Sequence, residues 1–378
     1  MYLPELTIAA VFAAGLALAI PLGRIFGVQL QPGRYTHIDG MRAIAAMMVM
    51  SSHYSKTIMV IANDTNFPPL VTALGDIGVQ IFFCVTGFLF TRKALAGPVD
   101  IPKFVVSRVR RIVPLYLFCM TIAVAIATWI SVKQKGYLTF HFSDILYAYG
   151  TGFTGYPVGD MQGVSLLGII GQVWTLHWEW LFYLCVPFLS AIFVKPKWFG
   201  WLSLFIVLCA IFQVRIAPQV WLYFIPGALC GLAERKIKIS TSAQILLAVI
   251  GIACFAASLT SNLVSYGLVE FALCLVGFPS LLFGHRWLLS LKPLRTLGEV
   301  SYSIYLTHLF VPAVFWAIVN YVAPQHFGTV GPKFELAMYI APLTFPLFFV
   351  AYALVERPFM ARREKGVTDQ IAQSRAEA

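Results

Sequence analysis

Apolar residues run through this chain in long uninterrupted blocks, with neither the alternation of a half-buried strand nor the narrow stripe of a surface helix. Stretches of about 18–22 such residues recur from end to end, which is the length a helix needs to cross a bilayer. The pattern predicts spans near 5–23, 41–61, 70–91, 112–131, 174–194, 198–214, 219–233, 243–260, 264–284, 299–320 and 337–355. The fold class is therefore all-α, a polytopic membrane bundle of about 11 transmembrane helices. The first span lacks a positive leader and has Arg24 and Arg34 behind it, so a retained helix is expected there, not a cleaved signal. The longest polar interruption, 132–173, is expected on the side opposite the basic loops. Its YGTGFTGYPVGDMQG reads as a shaped loop with room for a short helical or re-entrant piece.

Composition agrees: 59% of the 378 residues are hydrophobic and 11% charged. The net charge of +11 raises nucleic acid as a ligand, and the placement of the charges removes it. With alternate loops assigned to opposite faces, 21 of the 27 Lys and Arg fall on one side. The other side holds only Lys133, Lys135, Arg215 and Lys333. By the positive-inside bias the basic side is cytoplasmic, which places the N-terminus outside and the C-terminus inside. The seven cysteines all lie in apolar runs without a C-x-x-C pair, so neither a disulfide framework nor a metal site is expected.

Ionisable residues inside the spans carry the chemistry. The segment HIDGMRAIAAMMVMSSHYSK, 37–56, places Arg42 and His53 in one apolar helix. Eleven residues turn a helix through about 1,100°, three turns and roughly 20°, so both side chains share a face about 16 Å apart along the axis. Such groups mark functional sites or buried polar pairs. WTLHWEWLFY adds His177 and Glu179 to a second span, and SYSIYLTHLF adds His308 to a third. RVRRIVPLY supplies Arg108, Arg110 and Arg111 at the inner face, where guanidinium forks suit phosphate oxygens. Together they describe an interior polar pocket with a basic mouth. His37, His141, His285 and His326 fall in loops or at helix ends and read as structural or solvated.

At this point the chain resembles a known family. RYTHIDGMRA leading into Arg42 and His53, GVQIFFCVTGF, Arg108 with RIVPLY, WTLHWEWLFY, SYSIYLTH and the closing Glu356-Arg357-Pro358 form six blocks in order. They are similar to those of the acyltransferase-3 family of integral membrane acyltransferases, over about 34–360. Thr86 and Thr175 stand where that family usually has Ser. The resemblance implies a ten-helix acyltransferase core at 34–360, preceded by an extra helix and linker at 1–33 and followed by a polar tail at 361–378. It implies transfer of an acyl group, usually acetyl, from cytoplasmic acetyl-CoA to a carbohydrate hydroxyl of a lipid-linked or exported glycan, without a metal. The expected partners are acyl-CoA, the glycan acceptor, membrane lipid and polysaccharide-assembly proteins, with no nucleic acid.

On that reading His53 acts at the thioester, as general base or transient acyl carrier, with Glu179 and Arg42 in the catalytic set. Arg108, Arg110, Arg111 and Arg42 hold the CoA phosphates. Asp39, Trp174, His308 and Tyr305 face the acceptor, and Asp39 also pairs with Arg42. The rival reading is a proton-coupled transporter or flippase, because buried His and Glu suit proton relays. The matched broken helices of inverted repeats are not visible in the sequence. A structural partner in polysaccharide export is a further alternative. The membrane-bound O-acyltransferase class also uses a buried His but lacks the six-block order.

Overall fold

The computed structural model describes residues 3–30, 35–61, 65–137, 141–155, 159–161, 163–194, 218–234, 236–310 and 342–360, with positions 201, 205 and 314. The expected span 198–214 and the tail 361–378 lie outside them, apart from the two single positions. The helices are α1 (Leu3–Ile25), α2 (Thr36–Ile61), α3 (Pro69–Ala96), α4 (Ile101–Lys135), α5 (Phe142–Thr154), α6 (Leu167–Ile170) and α7 (Trp174–Val194). After them come α8 (Phe224–Ala233), α9 (Thr241–Thr260), α10 (Leu268–Phe283) and α11 (Lys292–Thr307). The last is α12 (Pro342–Met360), whose residues Tyr352–Glu356 form a π-helical turn. Among the described residues, five helices are long and apolar enough to cross a membrane: α1, α3, α4, α9 and α12. The protein is an all-α, multi-pass membrane protein.

One boundary differs from the sequence expectation. The basic segment 92–111 was expected as a loop, and only 97–100 separates α3 from α4. The Asp100 side chain accepts a hydrogen bond from the Lys103 backbone N–H and caps α4, and Pro102 sits in its first turn. That hydrogen bond holds the Asp100 carboxyl below the usual carboxylate range. All three arginines of RVRR are therefore helical. The segment 132–173, among its described residues, holds the short helical piece expected of it. It completes α4, forms α5, pairs Asp160–Met161 with Val164–Ser165 as a minimal antiparallel hairpin, and enters α7 through α6 and a 3₁₀ turn.

The core is built on α2, α3, α8 and α11, and α1 packs on α2 and α11. Helices in lipid gain little from hydrophobicity when they meet, so close approach through small residues and side-chain packing holds them together. A Cβ at Gly227 of α8 would overlap the Cys84 carbonyl of α3, and one at Gly87 of α3 would overlap the Phe224 carbonyl. The same holds where Gly298 of α11 meets the Asp39 backbone and Gly40 of α2 meets Leu289. These contacts bring Glu299 beside the helix that carries Arg42.

Candidate active site

Between α2, α3, α4, α7 and α11 lies a cavity of about 320 Å³ whose walls include Arg42, Arg108, Arg111, Glu179, Glu299 and Tyr305. Four helices thus deliver charge to one half-open space inside the bundle, where an unpaired ion is costly and each charge needs a partner. Arg42 pairs with Asp39 at 3.8 Å, one helical turn back. Arg111 meets the fully buried Glu356 at 2.6 Å and also touches the Met360 sulfur. Ser303 Oγ donates to the other Glu356 oxygen at 2.5 Å. Arg108 lies over the Phe90 ring at 5.0 Å and the Tyr183 ring at 5.9 Å, and the Tyr183 hydroxyl donates to Glu179 Oε2 at 2.9 Å. The arginine wall is therefore rigid and partly neutralised, with Arg111 most committed to a protein carboxylate.

The opposite wall is less charged. Tyr305 and Thr175 hydroxyls lie 2.8 Å apart, and the Tyr305 hydroxyl also donates to the Gln172 carbonyl at 3.1 Å. Behind Tyr305 sits His308, fully buried, where α11 gives way to a turn. Its Nδ1 lies 2.7 Å from the Tyr305 carbonyl. A carbonyl can only accept, so Nδ1 carries the proton and Nε2 presents a lone pair. That Nε2 is buried without a hydrogen-bond partner. The His53 ring stands 5.1 Å from it, centroid to centroid, and is half-buried.

Of the residues singled out in the sequence, Arg42, Arg108, Arg111, Glu179 and Tyr305 meet in the cavity. His53 and His308 form a pair one ring removed from it, and Asp39 reaches it through Arg42. Trp174 lies next to Thr175 and packs against Tyr266 at 6.1 Å, off the cavity wall. Arg110 does not join them and is exposed, because 200° of helical rotation separates it from Arg108 whereas Arg111 is within about 60° of it. His177 also faces elsewhere: its Nδ1 donates to the Phe153 carbonyl of α5 at 2.8 Å. The sequence reading missed Glu299, Tyr302 and Tyr183 on the walls. For Glu299 the signal was present, a carboxylate nine positions before His308 in an apolar run. Among the described residues no group of three His, Cys, Asp or Glu side chains is placed to hold a metal.

A half-open ionic cavity inside a helical bundle suits a membrane-embedded enzyme or carrier, and comparison with known proteins selects the enzyme. A family described as "Acyltransferase domain" matches residues 35–356. The chain belongs to this family, the acyltransferase-3 family, and is an acyltransferase. It is 27% identical over 330 residues to the exopolysaccharide production protein ExoZ of Rhizobium meliloti (strain 1021), covering 80% of this chain and 96% of that one. It is 26% identical over 254 residues to an O-acetyl transferase of Shigella phage Sf6, covering 62% of this chain and 74% of that one. No solved structure matches it.

Proposed function

We propose that the protein moves an acetyl group from cytoplasmic acetyl-CoA to a hydroxyl of an exported or cell-surface carbohydrate, at the bacterial inner membrane. One observation carries the reading: three guanidinium groups converge on a cavity lined by Tyr305, whose ring stands 6.0 Å from that of His308, itself paired with His53. The names of the two relatives support a carbohydrate acceptor and an acetyl group. The cavity is at the small end of the roughly 300–1,000 Å³ typical of ligand sites, so it suits the thioester arm, with the nucleotide at the arginine mouth. Arg108 and Arg42 contact phosphate, and Arg111, held by Glu356, shapes the mouth. Arg110, on the outer surface of α4, is left to interfacial lipid and topology.

In this mechanism His53 takes the proton of the acceptor hydroxyl as its oxygen attacks the thioester carbonyl. The tetrahedral intermediate collapses, the C–S bond breaks, and the CoA sulfur receives the proton back from His53. The bare Nε2 of His308 accepts a hydrogen bond from the acceptor and aims the reacting hydroxyl. Glu179, fixed by Tyr183, balances the arginines. General base catalysis contributes about 10²–10⁴-fold, so His53→Ala should lower CoA release from acetyl-CoA in the purified protein by that factor without lowering donor affinity. Full activity in this variant would remove His53 from the chemistry. Calorimetric titration of acetyl-CoA should show weakened binding in Arg108→Ala and unchanged binding in Arg110→Ala. Equal losses in both would return the donor to the open surface.

A further inference from the structure

A second polar cluster lies at the end of the bundle away from the three arginines. Lys56 is fourteen residues along α2 from Arg42, about 21 Å of helix. Asp76 of α3 faces Lys56 within electrostatic reach and accepts a hydrogen bond from Ser265 Oγ at 2.5 Å. Glu270 of α10, 3% exposed, accepts from the Tyr266 backbone N–H at 2.6 Å and lies within electrostatic reach of Asp76. Each carboxylate keeps lone pairs for a further donor.

Two observations mark this cluster as more than packing. Tyr266 has φ of 58°, the only non-glycine residue with positive φ among those described. Such strain in a bulky residue collects at ligand sites. Its ring stands edge-on to Trp174 at 6.1 Å and to Tyr223 at 5.7 Å. Tyr223 is fully buried, and its hydroxyl has no hydrogen-bond partner although Glu270 is within electrostatic reach. An orphan buried hydroxyl is destabilising unless something satisfies it.

The cluster also lies on the face of α3 that lines the cavity, one turn beyond it. Val79, Phe82, Thr86 and Phe90 line the cavity along one stripe of α3, and Asp76 is the next position on that stripe, one turn beyond Val79. On α7, Trp174 directly precedes Thr175 of the wall. From these placements we propose that Asp76, Glu270 and the Tyr223 hydroxyl, with the rings of Tyr266 and Trp174, form the binding site for the sugar acceptor. The carboxylates take hydrogen bonds from ring hydroxyls, the Tyr223 hydroxyl meets a ring oxygen, and the aromatic edges cover the apolar face. This assignment rests on the acyl-transfer reading for its biological sense, but sugar binding here is measurable without a donor.

The test uses the full chain in nanodiscs and methyl β-glucopyranoside as probe, titrated with no acetyl-CoA present. Wild type should bind it. Glu270→Gln and Asp76→Asn should each weaken binding at least tenfold while acetyl-CoA affinity is unchanged. Tyr223→Phe separates a site from a structural cluster: removing an orphan hydroxyl should leave thermal stability equal or higher, yet weaken sugar binding at least threefold. Sugar affinity unchanged in Tyr223→Phe and Glu270→Gln, or no binding by wild type, overturns the assignment. Normal sugar binding in a protein that neither binds nor cleaves acetyl-CoA would uphold the assignment and end the donor reading instead.

Discussion

Helices α3 and α9 look alike in composition and live in different surroundings. Both are apolar enough to span a bilayer, with mean hydropathy of 1.8 and 2.1 over their best windows. In α3 that window is 78% buried in protein, and in α9 it is 17% buried. α3 touches the cavity through five or more side chains and lets α8 approach at Gly87. α9 turns Ile245, Leu246, Val249 and Ile252 outward, where lipid replaces neighbours. The distinguishing marks are the polar and small residues of α3: Asp76, Gln80, Thr86, Gly87 and Arg92. α9 has no charged residue at all. In a membrane protein, then, hydropathy finds the helices and its interruptions find the inside.

That contrast can be broken in three places. The largest effect is expected at the interior ion pair: Glu356→Ala strands Arg111 and should cost about 3–5 kcal/mol. A thermal melt in detergent reads it, and replacing both partners with apolar residues of similar size should recover most of the loss. A stable single variant would mean that Arg111 has found another partner. Next, Gly227→Leu wedges a side chain against the Cys84 carbonyl and should cost about 1–3 kcal/mol by overpacking, with lower yield of monodisperse protein on size exclusion. Smallest is Leu246→Ala on α9, where the melt should shift by no more than about 0.5 kcal/mol. A large loss there would show that α9 has a protein partner on its outer face.

The same contrast explains what the sequence could say. Arg42 and His53 were placed on one helix because a span with two ionisable groups is conspicuous, and the helical period carries both to one side. RVRR is ambiguous in the sequence, because basic residues near a span end satisfy the topology rule equally well as coil or helix. Had D-I-P at 100–102 been taken as a helix start, the same period would have separated Arg110 from its neighbours. Glu299 and Glu356 were harder to weigh. Their importance depends on which arginine faces them across the bundle, a tertiary relation set by the glycine contacts of α2 with α11 and by the π turn of α12. The Trp174 expectation was close in space, one residue from the wall, but the direction of a side chain at a helix start cannot be fixed without knowing what packs there.

The buried partner of Arg111 is contributed by the last described helix. At about 5–20 residues per second, ribosomes deliver Glu356 roughly 10–50 s after Arg111. Until then the nascent bundle holds a guanidinium whose ion-pair partner has not yet been made, although Glu299 of α11 comes within its electrostatic reach earlier. Closure of this salt link is therefore a late step of assembly, taken only after every other described helix has been made.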